Sequence, residues 1–165
     1  MATVRAATAA DADAIGQVHA DTWRAAYAGV LPEAAFDVNA RQRFWREVFE
    51  REWPPASAVF VAEFEGAVIG FAGVGESREE EAVGELFTIY VEPGRWGTGA
   101  GRALIERAEE SLAGSGFDEA LLWVLEGNER AERFYRAAGW TRDGGQKVEE
   151  FQGAALTEVR YRKRL

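Results

Sequence analysis

The apolar and polar positions of this chain change period several times, and each change marks an element. Thr3 to Ala7 alternates as a short edge strand does. Thr8 to Asp13 supplies N-cap residues for a helix on which Ile15, Val18, His19 and Trp23 recur at helical spacing, and Gly29 and Pro32 break it. A second helical stretch, from about Pro32 to Arg51, carries Phe36, Phe44, Trp45, Val48 and Phe49. It has a break near Asn39 and ends at Pro54-Pro55. Ala58 to Phe64 and Val68 to Val74 read as a hairpin about Glu65-Gly66, and the acidic run Glu76 to Glu81 reads as a solvated loop.

A further strand, Gly84 to Val91, ends at Glu92-Pro93-Gly94 and leads into a glycine-rich turn. The helix that follows places Leu104, Ile105, Ala108 and Leu112 on one face and closes at Gly114 and Gly116. Ala120 to Leu125 reads as a strand buried on both faces, and Asn128 caps a helix that Gly139 stops. Trp140 to Leu165 alternates around Gly144-Gly145 and Gly153, as an antiparallel pair does. The order β, α, α, β, β, β, α, β, α, β, β predicts a mixed sheet with helices on its faces, in the α/β (α+β mixed) class. With no repeat, linker or composition break, the 165 residues read as one domain, 1–165.

Composition narrows the chemistry. Hydrophobic residues make up 47% of the chain, enough for a sizeable core. The chain has no cysteine, which excludes a disulfide framework, a thiolate metal site and a Cys nucleophile. One histidine, His19, disfavours a His-rich metal site and a Ser-His-Asp triad, so no metal is expected. The net charge of -9 disfavours nucleic acid and anionic membrane as main partners, and favours a cationic partner only as a tie-breaker. No segment approaches the roughly 18 consecutive apolar residues of a membrane span. The first residues lack a basic-then-apolar signal pattern, so the expectation is a cytoplasmic enzyme or binding domain.

The turn Trp96-Gly97-Thr98-Gly99-Ala100-Gly101-Arg102 lies between a strand and a helix N-terminus, where free amides and the helix dipole attract an anion. Glycines at 97, 99 and 101 let a phosphate approach the backbone, and Arg102 and Arg95 add charge. A Walker loop fails because Ala100-Gly101 stands where Lys-Ser/Thr is needed. A Rossmann fingerprint fails because the spacing is G-x-G-x-G, the turn lies past mid-chain and the residues where its acid would fall are apolar.

The turn resembles the cofactor loop of the GNAT superfamily of N-acetyltransferases, [Q/R]-x-x-G-x-[G/A] at the start of a helix. Gly99 and Gly101 stand at the glycine positions, while Trp96 replaces the usual Gln or Arg. The segment from Asn128 through Ala131, Phe134 and Tyr135 to Gly139-Trp140 is similar to the family's N-x-x-A-x-x-[FL]-Y-x-x-x-G-[FW] stretch. The element order matches over nearly the whole chain. The implied fold is a central, mostly antiparallel sheet flanked by about four helices, with its fourth and fifth strands splayed apart.

The resemblance implies acetyl-CoA as donor and direct transfer to a primary amine (small amine, polyamine or peptide N-terminus) in a ternary complex. A longer acyl donor and a non-catalytic acyl-CoA sensor are the alternatives, and the family's habit of dimerising adds a homodimer to the expected partners. By the same resemblance, backbone groups of Ile89, Tyr90 and Val91 hold the pantetheine arm, and residues Gly97, Thr98, Gly99, Ala100, Gly101 and Arg102 hold the pyrophosphate. Asn128 and Arg133 join the cofactor contacts, though the N-cap role alone explains Asn128.

Tyr135 takes the family's general-acid position, or is a core tyrosine, or both. Glu85 is the base candidate, a carboxylate set in the apolar run Val83 to Val91, against the reading of an exposed strand-start glutamate. Glu126 is its rival near the acceptor. Trp23 and Tyr27, spaced i, i+4, resemble an acceptor-lid segment whose aromatic faces bind an ammonium, or pack the core. His19 on the same face reads as a packing residue before it reads as a base.

Overall fold

A computed structural model describes residues 1–165. Its strands are β1 (Thr3–Ala6), β2 (Ala58–Phe64), β3 (Ala67–Glu76), β4 (Gly84–Val91), β5 (Glu119–Leu125), β6 (Thr141–Phe151) and β7 (Ala154–Arg164). Its helices are α1 (Ala12–Tyr27), α2 (Val38–Glu50), α3 (Ala100–Gly114) and α4 (Glu129–Ala137). The strands form one sheet in the order β1-β2-β3-β4-β5-β7-β6. Every neighbouring pair is antiparallel except β4 and β5.

That parallel pair is short. Only Gly84↔Ala120 and Glu85↔Leu121 are in register, whereas β4 stays paired with β3 as far as Val91 and β5 with β7 as far as Leu125. From Leu86 and Leu122 onward the two strands diverge, opening a wedge in mid-sheet.

Helices cover both faces, as the apolar stripes require. Leu104, Ile105, Ala108 and Leu112 of α3 pack with Phe60, Ala72, Leu86 and Leu122 in the larger core, which Tyr135 of α4 and Trp140 complete. On the opposite face, Ile15 and Val18 of α1 and Trp45 of α2 enclose Val61 and Phe71. The two helices approach so closely at Gly16 that a Cβ there would lie 2.6 Å from the Gln42 backbone.

Three local features sharpen or correct the sequence expectation. The second helical stretch breaks at Asp37, just ahead of Asn39: a 3-10 turn spans Glu33–Phe36, and the Asp37 carboxylate caps α2 by accepting from the Asn39 amide at 2.9 Å. Gly144-Gly145 is a bulge inside β6 rather than a turn, since the hairpin closes at Gln152-Gly153 between Phe151 and Ala154. The acidic loop after β3 is held against the sheet rather than merely solvated. There Glu80 pairs with Arg162 at 2.6 Å and Arg160 at 3.3 Å, and Glu79 pairs with Lys147 at 3.4 Å.

Candidate active site

The wedge opens into a cavity of about 860 Å³ that runs from the glycine-rich turn, past Tyr135, to the space between α1, α2 and the β6–β7 hairpin. A bulge in β4 decides which side chains reach it. Gly73 pairs with Thr88 and Val74 with Leu86, leaving Phe87 as the extra residue. Leu86 and Ile89 therefore both enter the α3 core although they are three apart, while Glu85, Thr88 and Tyr90 line the cavity.

At the turn, Gly97 (φ 76°) and Gly99 (φ 90°) adopt the left-handed conformation, and open space lies where a Cβ would stand. Gly99 is the N-cap of α3, so the amides of Ala100, Gly101 and Arg102 have no intrahelical acceptor. Gly101 serves packing: a Cβ there would lie 3.2 Å from the Phe134 ring of α4. Thr98 braces the turn by donating to the Arg95 carbonyl at 2.6 Å.

Three arginines line this end of the cavity. Arg130 lies 3.3 Å over the Trp96 ring, Arg95 lies 4.8 Å over Phe64, and Arg102 turns back to Glu106 at 3.0 Å. Trp96 itself donates to the Val91 carbonyl at 2.7 Å. The basic group nearest the departure from the family's loop is thus Arg130, a residue that sequence reading passed over.

In the middle stands Tyr135, 9% exposed and lining the cavity. Burial, with Tyr90 and Tyr27 nearby, pushes its pKa above the usual tyrosine value, and no hydrogen-bond partner in the protein offsets this. Its helix is braced by buried Glu132, which accepts from the Tyr161 hydroxyl at 2.7 Å and pairs with Arg142 at 2.5 Å. Asn128 caps α4 by accepting from the Ala131 amide at 3.3 Å and donates to the Tyr27 hydroxyl at 3.4 Å, which joins the end of α1 to the start of α4.

At the far end Glu85, 1% exposed, pairs with Arg78 at 2.8 Å. The loop carrying that arginine gives a buried carboxylate its countercharge, a partner the sequence did not signal. Trp23 and Tyr27 both line the cavity, packed edge-on to one another at 5.4 Å. A face of Trp23 is already covered by the Arg41 guanidinium at 4.8 Å, so that face is closed to an incoming ammonium. The Trp23 indole N–H is buried, facing the Tyr90 hydroxyl without reaching hydrogen-bond geometry. His19 accepts from the Trp45 indole at 3.0 Å, and burial, with Arg41 nearby, pushes its pKa down to about 3, so it is a neutral packing residue.

Four expected site residues lie outside the cavity lining, among them Thr98, which is exposed beside Met1 and Phe64, and Ala100, whose methyl group is buried in the α3 core. The other two, Glu126 and Arg133, are exposed, because the turn after β5 points the first away and the outer face of α4 carries the second. Arg41, Arg130 and Glu158 line the cavity without having been anticipated; each joins it from an element distant in sequence. No helix is long and apolar enough to cross a membrane.

Comparison with known proteins agrees with this geometry. The Acetyltransferase (GNAT) family pattern matches residues 18–140. An uncharacterized N-acetyltransferase of Bacillus subtilis (strain 168), YuaI, is 39% identical over 123 residues, covering 71% of this chain and 68% of that protein. Among solved structures, the PaiA N-acetyltransferase of Thermoplasma acidophilum in complex with coenzyme A superposes with a TM-score of 0.72 at 19% identity, over 100% of this chain and 99% of that one. YncA of Salmonella typhimurium, a putative acetyltransferase with its cofactor acetyl-CoA, gives 0.73 at 22% identity, over 99% and 94%. The splayed sheet and its four helices are the fold of these structures, and the chain belongs to the GNAT family of N-acetyltransferases.

Proposed function

We propose that this chain transfers an acetyl group from acetyl-CoA directly to a primary amine, with both substrates held in the one cavity. The observation that carries the reading is the wedge between β4 and β5, continuous from the glycine-rich turn to the Tyr135 hydroxyl. It fits a ligand with an anionic head and an extended arm: open left-handed glycines, free helix amides and three arginines at one end, and an unpaired strand edge leading inward.

Acetyl-CoA supplies an activated acyl thioester and a thiolate leaving group. The amides from Gly97 to Arg102 and the guanidinium of Arg130 bind its phosphates, and the edge of β4 from Ile89 to Val91 aligns its arm. A backbone N–H of β4 beside the Phe87 bulge polarises the carbonyl oxygen. A free alkylammonium has a pKa near 10, so a proton must leave before attack, and Glu85 accepts it directly or through water. Tyr135 stands ready to return a proton to the sulfur. Its pKa, held above the usual tyrosine value by burial, keeps that proton in place at neutral pH. The chain has no cysteine for an acyl-enzyme route, which favours direct transfer. We read the protein as a cytoplasmic enzyme whose partners are small amines.

The test is a panel of amines incubated with acetyl-CoA and scored by release of free CoA thiol. Turnover of an amine is the expected result. CoA binding without turnover of any amine would make the protein an acyl-CoA sensor instead.

A further inference from the structure

The α1–α2 end of the cavity holds charges of both signs, and one of each sign is short of a partner. Arg41, in the first turn of α2, is half-buried, with its guanidinium over Trp23 at 4.8 Å and Phe151 at 5.7 Å. Its one hydrogen bond goes to the Ala35 carbonyl at 3.3 Å, and it joins no ion pair. Burial accordingly pulls its pKa below the usual arginine value, with no carboxylate beside it to resist. The other cations at this end are countered: Arg78 by Glu85 at 2.8 Å, and Lys147 by Glu149 at 3.2 Å. A guanidinium offers five donors in a planar fork. Most of them are unused by the protein and lie open to a ligand in the cavity.

Glu158 supplies the opposite sign. It enters the cavity from β7, half-buried, with Lys147 opposite it on β6 and the Glu149 carboxylate close by, and it forms no ion pair. Burial, and then Glu149, push its pKa up, and Lys147 and Arg78 offset this only in part. Between the two walls Trp23 packs against Phe151 at 5.3 Å and Tyr27 at 5.4 Å, an apolar surface for the body of a small molecule.

Building on the acetyltransferase reading above, we propose that the acceptor is a small amine that also carries a carboxylate, an amino-acid-like zwitterion held by Arg41 at its carboxylate and by Glu158 at its ammonium group. The Arg41 guanidinium lies over an indole with most of its donors unused, and such a planar fork can bind a carboxylate in two places at once. An acceptor cationic throughout would instead set its own charge against Arg41.

The experiment measures CoA thiol release with α-amino acids, each beside its carboxamide and its decarboxylated amine, and with spermidine. At least one amino acid should exceed its carboxamide and amine about tenfold or more in kcat/KM. In Arg41→Gln the KM for that acid should rise about tenfold to a hundredfold, while the KM for its carboxamide and the Kd for acetyl-CoA hold. The acetyl-CoA Kd also reports whether the variant folds. Should it not, Arg41→Lys keeps the charge without the fork and should show a smaller rise confined to the acid. Equal or better turnover of the carboxamide, the amine or spermidine overturns the inference and leaves acetyl transfer standing. A KM rise shared by acid and carboxamide overturns it too. Turnover of no amine, with acetyl-CoA still bound, overturns both readings.

Discussion

The Arg130 guanidinium lies 3.3 Å over the ring of Trp96, a residue standing where the family's cofactor loop carries Gln or Arg. Trp96 is fixed in turn by its hydrogen bond to the Val91 carbonyl. The tryptophan thus serves as a platform that holds a cation from α4 beside the glycine-rich turn. Arg130→Ala should raise the Kd for CoA about tenfold at low salt and by less at high salt. Pantetheine, which lacks the phosphates, should bind the variant as it binds the wild type. Calorimetry with the two ligands checks this, and an equal loss for both would place Arg130 elsewhere.

Tyr135 lines the cavity, and its hydroxyl has no partner in the protein. Tyr135→Phe removes one oxygen and keeps the ring that completes the α3 core. The expected outcome is a fall in kcat of about a hundredfold or more, with the Kd for acetyl-CoA within twofold of wild type. Wild-type turnover would reduce Tyr135 to a packing role.

Glu85→Gln preserves shape while removing the group proposed to accept the amine's proton. Turnover should drop about a hundredfold or more and recover in part at high pH, where free amine is more abundant. Because Arg78 loses its partner in the same variant, Arg78→Ala is the necessary companion. A loss in both variants of equal size, with the same pH profile, would point to the ion pair rather than to proton transfer.

His19 is the single histidine, and its folded-state pKa lies at about 3 against a usual value near 6.5. A depressed histidine pKa means that the unfolded chain takes up the proton more readily. Stability is therefore lost as pH falls through the unfolded value towards the folded one. Between pH 7 and pH 5 the contribution should be a loss of about 2 kcal/mol. Urea melts of wild type and His19→Gln at the two pH values check this. The variant should be less stable at pH 7 but flatter across the window.

Much of the fold is legible along the chain because its elements announce themselves locally. The α3 stripe of Leu104, Ile105, Ala108 and Leu112 and the doubly buried run of β5 need no tertiary context to be seen, and the glycine-rich turn carries its own spacing. The Phe87 bulge left no such mark, since an extra residue in an apolar run looks like one more strand residue, yet it decides that Glu85, Thr88 and Tyr90 face the cavity. The pairs Arg130–Trp96, Arg41–Trp23 and Arg78–Glu85 escaped for a related reason. Each depends on where a separate turn or helix sets a long side chain, and a lone arginine on a helix reads as a solvated charge. The acidic loop after β3 shows the converse: its composition says solvent, and the arginines of β7 say otherwise.

Direct transfer within one cavity is the centre of this account, and a two-substrate rate matrix tests it most directly. Acetyl-CoA and an accepted amine are varied together, and initial CoA release is plotted in reciprocal form. Intersecting lines, the signature of a ternary complex, are the predicted result. Parallel lines, the signature of an acyl-enzyme passing the group in two separate steps, would contradict it.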